Sequence, residues 1–186
     1  MRVAFVENND SFTWNVLDAL PFARGEVHFA RGGTEEALRA VEAADAVVIG
    51  PGPMDPARAG LVELVRRCAA LGRPTLGICL GHQALGVAFG ARLVRTRPAH
   101  GQRAVARFVE SPRFPGIEGP LEVMRYHSLS LEAVAAPLQA VAALDDGTVM
   151  AVAHQALPMA GVQFHPDSHG TPRGRALLAA FFRGLG

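Results

Sequence analysis

Three short stretches carry residue types able to do covalent chemistry: "GICLG" (77–81), "FHPDS" (164–168) and "GPGP" (50–53). Gly77-Ile78-Cys79-Leu80-Gly81 has the G-x-nucleophile-x-G form of a strand–turn–helix elbow, a bend too tight for side chains on its flanks. A cysteine at that point opens a helix, whose free N–H groups and positive dipole end favour thiolate over thiol. The backbone N–H of Leu80 would then point at an oxyanion formed by attack on a carbonyl. His165 follows an apolar run and precedes Pro166, which keeps the chain out of helix, so that Asp167 can lie along the same extended edge. A Cys–His–carboxylate constellation results: thiolate nucleophile, imidazole acid and base, carboxylate fixing the tautomer. Prolines around Gly52 make a stiff turn whose backbone N–H could be a second oxyanion donor. Each piece alone has a plainer reading: a buried cysteine in a Gly-rich turn, a surface loop with a His and an Asp, an ordinary β–α turn. Their joint occurrence is what points to chemistry.

The elements that must position these residues alternate between strand and helix. "RVAFVE", "EVHFA", "AVVIG" and "TLGIC" read as strands, separated by helices over 10–20, 34–44 and 57–71, and followed by a helix over 80–90 closed by Gly90. Short apolar strands alternating with helices imply a parallel sheet covered on both faces. After residue 91 the pattern changes to short β segments at 91–94, 103–109, 121–125, 138–143, 148–153 and 159–164, and a helix over 172–183 closes the chain. In open α/β sheets, sites form beyond the carboxyl ends of the strands, where "IGPGP", "GICLG" and "VQFHPDS" would converge.

Composition bounds the class. The 186 residues suffice for one domain spanning 1–186, and 49% hydrophobic content fits a globular chain. A formal charge of +1 argues against a nucleic-acid partner, and no apolar stretch approaches the ~20 residues of a membrane span. All 18 basic residues are arginine, which excludes a Walker-type phosphate loop ending in lysine. The polar turn after "RVAFV" is unlike a signal peptide, and Cys68 falls on a helical stripe with Leu61, Leu64, Val65 and Leu71. A cytoplasmic protein with free thiols is expected. His165 and His169 have H-x₃-H spacing, but Pro166 prevents the helix that would make them a metal pair.

The motifs taken together resemble those of the class I (triad) glutamine amidotransferases, and in particular the small glutaminase subunits of anthranilate synthase and aminodeoxychorismate synthase. The resemblance runs over essentially the whole length, through "ENNDSFTWN" (7–15), "GPGPMDPARAG" (50–60), "GICLGHQALGVAFG" (77–90), "AHG" (99–101), "YHSL" (126–129), "GVQFHPDS" (161–168) and "TPRG" (171–174). "NDSFTWN" is similar to the chorismate branch rather than to the glutaminase portions of carbamoyl-phosphate, GMP or CTP synthases.

The resemblance implies a flavodoxin-like fold: three layers, α/β/α, around a mostly parallel sheet, with an additional small antiparallel β portion in the second half. It implies hydrolysis of L-glutamine by Cys79, with His165 and Asp167 completing the triad. Gly52 and Leu80 would form the oxyanion hole, and Gly52, Gln83, Ser128 and Leu129 would bind the glutamine. His127 is expected to shape its turn rather than to react, and His82 to be a packed, hydrogen-bonded helix residue. No metal or cofactor is expected on this chain. A chorismate-binding synthase subunit carrying Mg²⁺ would receive the ammonia, that of anthranilate synthase first and of aminodeoxychorismate synthase second. Asp167 stands where the family usually has glutamate, one methylene longer, so reaching His165 requires a small backbone shift or a looser bond, and activity is expected to survive. Trp14, Met54, Gln102 and His169 also depart from the usual Tyr, Gly, Lys and aliphatic residue. A γ-glutamyl hydrolase or cysteine peptidase of related fold, and a non-catalytic docking subunit, are the alternatives.

Overall fold

Residues 1–185 are described by a computed structural model. The chain runs β1 (Val3–Glu7), α1 (Thr13–Ala19), β2 (Val27–Arg31), α2 (Glu35–Ala43), β3 (Ala46–Ile49), α3 (Leu61–Ala70), β4 (Thr75–Ile78) and α4 (Leu80–Ala88). It continues through β5 (Arg92–Phe108), β6 (Gly119–Glu132), β7 (Leu138–Ala143), β8 (Val149–His154), β9 (Met159–Val162) and α5 (Gly174–Arg183). One sheet holds nine strands in the order β2-β1-β3-β4-β9-β8-β7-β5-β6. Its first five are parallel, in the doubly-wound order of a flavodoxin-like sheet with β9 as the fifth strand. The other four continue it antiparallel.

Strand periodicity makes the three layers. Val3 and Phe5 of β1 pack into one core with Val16 of α1 and Leu177, Leu178 and Phe181 of α5. Their neighbours Ala4 and Val6 point the other way, into a core shared with Val41 of α2, Leu61 and Val65 of α3 and Leu85 of α4. Parallel strands buried on both faces must be apolar throughout, as "AVVI" of β3 is.

The expected α/β/α arrangement holds, with differences at particular elements. The antiparallel portion is wider than its sequence signals: the segments expected at 91–94 and 103–109 are one strand, β5, and the one at 121–125 extends to the whole of β6. Register shifts between Arg95 and Ala99 and between His100 and Gln102 bend this hairpin. "AHG" and "YHSL" therefore lie face to face, with Ala99 opposite His127 and His100 opposite Tyr126. The helix expected from 57 begins only at Leu61, because Asp55 closes a turn on the amides of Ala57 and Arg58 and Gly60 takes a left-handed φ of 69°. Likewise, α1 begins at Thr13 after an Asp10 turn onto the Phe12 amide.

Candidate active site

Cys79 sits between the end of β4 and the first turn of α4 with φ 52° and ψ −98°, a strained conformation for a residue with a side chain. The neighbouring glycines show why the strain persists. A β-carbon on Gly77 would strike the backbone of Gly81, and one on Gly81 would strike the carbonyl of Ile49 at the end of β3. The elbow is thus clamped by backbone on both sides. The Cys79 amide donates to the Val162 carbonyl of β9 at 2.8 Å, and the Gln83 amide donates to the Cys79 carbonyl at 3.0 Å, which starts the helix. The amide of Leu80 lies in the first turn, where N–H groups have no partner within the helix.

His165 comes three residues after β9, the strand that pairs with β4, so parallel neighbours deliver the thiol and the imidazole to one end of the sheet. Its amide donates to the Met124 carbonyl at 3.0 Å, and its carbonyl accepts the Thr171 hydroxyl at 2.8 Å. Phe12 and Tyr126 pack edge-on against its ring, with centroids 5.4 and 5.1 Å away. Asp167 Oδ1 lies 3.4 Å from His165 Nδ1 with both side chains buried. That is an ion-pair distance, but the alignment is poor for a hydrogen bond, and neither atom has another partner. The carboxylate and the ring thus make a loose contact.

Burial by itself pushes the His165 pKa down, but the approach of Asp167 and of the Cys79 sulfur more than reverses this and raises it to about 10. The ring therefore carries a proton at neutral pH. Stability gained from this charge is present in full below the ordinary value of 6.5 and is lost as pH climbs towards 10. Asp167→Asn is expected to cost about 10- to 10³-fold in turnover. It should also destabilise the fold at pH 6 and have a smaller effect near pH 10, a comparison that urea denaturation at both values will make.

A cavity of about 380 Å³ is lined by Gly52, Cys79, Gln83, Ser128, Leu129 and His165, whereas Leu80 lies beside it and Asp167 lines a different cavity, of about 690 Å³, with Pro166 and Ser168. Gly52 is pressed onto the elbow, for a β-carbon there would lie 2.7 Å from the Asn8 carbonyl and 2.8 Å from Leu80 Cδ2. Ser128 lies where the hairpin ladder is interrupted. His127 shapes its turn, as expected: Nδ1 bonds the Leu129 carbonyl at 2.9 Å, and Nε2 accepts from Arg125 at 3.1 Å. Burial, and next the Arg125 cation, outweigh that carbonyl and push the His127 pKa down to about 4, so the ring is neutral. His82 is packed against Gly161, whose backbone makes only a poorly aligned contact with the ring; burial outweighs it and pushes the His82 pKa down to about 3. A groove of about 650 Å³ near Met1, Arg2 and Arg39, at the other end of β1, contains neither thiol nor paired base.

Sequence reasoning passed over several contributors. Asn8 donates to the Gly50 carbonyl at 3.0 Å and so ties the glycine–proline turn to β1. Phe12 and Tyr126 wall the imidazole, and the Thr171 hydroxyl, besides donating to His165, accepts the Met124 amide at 3.0 Å. Gln163, fully buried, donates from Nε2 towards Cys79 Sγ at 3.7 Å. Its signal was present, a lone amide at the end of an apolar strand and two residues before His165.

Residues 4–185 match the family model described as glutamine amidotransferase class-I. The chain is 43% identical to an aminodeoxychorismate synthase of Streptomyces griseus over 97% of its own length and 26% of that protein's. It thus spans about a quarter of that relative. It is 40% identical to an anthranilate synthase component 2 of Mycobacterium tuberculosis, covering 96% of this chain and 80% of the relative. A Pseudomonas putida protein of the same description is 37% identical over 100% of this chain and 98% of its own. In structure, a glutamine amidotransferase from Thermotoga maritima superposes with a TM-score of 0.71 at 17% identity, over 100% of this chain and 84% of its own.

Proposed function

We propose that this chain, which belongs to the class-I glutamine amidotransferase family, hydrolyses L-glutamine and hands the ammonia to a synthase subunit that uses chorismate. The observation that carries the reading is the pairing of a strained Cys79 with a protonated His165 in one cavity. Cys79 Sγ attacks the side-chain amide carbon, and the Gly52 and Leu80 N–H groups hold the oxyanion. As the C–N bond breaks, His165 gives its proton to the departing ammonia, leaving a thioester. His165 then takes a proton from water, whose oxygen attacks the thioester; glutamate leaves and the thiolate–imidazolium pair returns. Asp167 keeps the ring oriented, while Gln83 and the backbone of Ser128 and Leu129 hold the α-substituents.

Hydrolysis alone only releases ammonia, so the acceptor chemistry lies on a partner, where this reading also places Mg²⁺. Anthranilate synthase is the first candidate and aminodeoxychorismate synthase the second, in line with the names of the relatives. No helix among the described residues is long and apolar enough to cross a membrane. The two free, buried thiols support a cytoplasmic setting.

The test is glutamate release from glutamine, alone and with purified synthase. Turnover is expected to rise when the synthase is added, and a glutamine-like diazoketone should label Cys79 but not a Cys79→Ala variant. No labelling and no glutamate under either condition would refute the assignment. Gly52→Ala, which places a methyl against Asn8 and Leu80, is expected to lower turnover by about 10²–10³-fold through the lost oxyanion donor.

A further inference from the structure

We propose that Gln163 is the hydrogen-bond donor that holds the sulfur anion of Cys79 opposite His165, and that Gln83 and the Leu129 carbonyl aim it. A carbonyl oxygen can only accept. The Leu129 carbonyl lies 3.5 Å from Gln83 Nε2, so Gln83 must present its NH₂ on that side. The same NH₂ lies 3.1 Å from Gln163 Oε1, which fixes the orientation of the second amide. Gln163 must then turn its own NH₂ to the sulfur, 3.7 Å away. An amide buried this completely in apolar surroundings incurs a desolvation cost unless both of its ends are satisfied. Here one end is satisfied by Gln83 and the other only by Sγ.

The consequence is chemical. A donor to sulfur is worth most when the sulfur is charged, as the thiolate attacks and again as it leaves the thioester, and least in the thioester itself. Gln163 therefore acts on both halves of the turnover without touching the substrate. The ionisable groups that share the cavity with this sulfur are His165 from the loop after β9, Asp10 from the loop after β1, His100 of β5 and His127 of β6, with Asp167 acting on His165 and Arg125 on His127 from behind. All of them remain in a Gln163 variant.

The role rests on Cys79 being the glutaminase nucleophile, and the experiment separates the two ideas because it needs neither glutamine nor partner. Iodoacetamide alkylation of Cys79 is followed against pH in Gln163→Met, which keeps the volume, and in Gln163→Leu, which removes the NH₂; neither adds a charge. Both are expected to alkylate about ten-fold more slowly than wild type at pH 7. Both should reach the wild-type rate at high pH, where the anion forms without help. Gln83→Met, which leaves Gln163 in place but unaimed, should shift the profile the same way by less. A uniform slowing at every pH would mean a merely structural part, and an unchanged profile in Gln163→Met would rule out the donor; either result overturns the proposal. Should the Gln163 variants not fold, an unchanged Gln83→Met profile overturns it alone. Failure of glutamine turnover with a shifted profile would count against the glutaminase reading and leave this one standing.

Discussion

Cys79→Ala and His165→Ala are each expected to lower glutamine turnover by at least about 10⁴-fold, and the double variant by little more than either. The non-additivity follows from the geometry. The sulfur and the ring share one cavity and one proton, His165 being raised to about 10 in part by Cys79 itself. Remove the sulfur and the imidazolium has nothing to activate; remove the ring and the departing ammonia has no proton donor. Steady-state kinetics on the three variants, with folded state checked by thermal unfolding, will measure the coupling. Independent losses that multiply would mean that the two groups do not act as a pair.

Gly81→Ala should have the largest effect on stability, about 3 kcal/mol or more of destabilisation in urea denaturation. The added methyl meets the carbonyl of Ile49, which is fixed by the pairing of β3 with β4, so the only relief is for the start of α4 to move out. That movement drags the Leu80 amide and Cys79 from their places, and activity should fall even in molecules that remain folded. Gly25→Ala is the control: nothing lies within 4 Å of its added carbon, and a change within about 0.5 kcal/mol is expected. If the two variants proved equally stable, the clamp on the elbow would be disproved.

How well the sequence can be read depends on which force shapes each segment. The parallel strands were legible because burial on both faces demands unbroken apolar runs such as those of β3 and β4. The nucleophile turn was legible because only glycine fits at 77 and 81, whatever the rest of the chain does. The β5–β6 hairpin was legible only in pieces, at 91–94, 103–109 and 121–125. The middle of β5 is largely exposed and contains Pro98 and Gly101, so neither alternation nor composition marks it as a strand; its partner strand holds it in place. The late start of α3 was hidden for a related reason, since "DPARAG" fits a helix until Gly60 adopts its left-handed angle. Within the site, Cys79, His165 and Asp167 announced themselves by spacing. Asn8 and Tyr126 have meaning only through contacts across the sheet, and Gln163, visible as a lone amide, takes its role from a sulfur 84 residues away.

The position of β9 has a consequence for how the molecule comes into being. This strand slots between β4 and β8, yet it follows β4 in the chain only after four other strands. Until it arrives, β4 presents a row of unpaired peptide groups, an open border inviting another strand. The thiol and its base are therefore strangers until it pairs. Reactivity should switch on only with this insertion, a non-local step of the slow kind, so that a chain with β9 unpaired holds no working nucleophile.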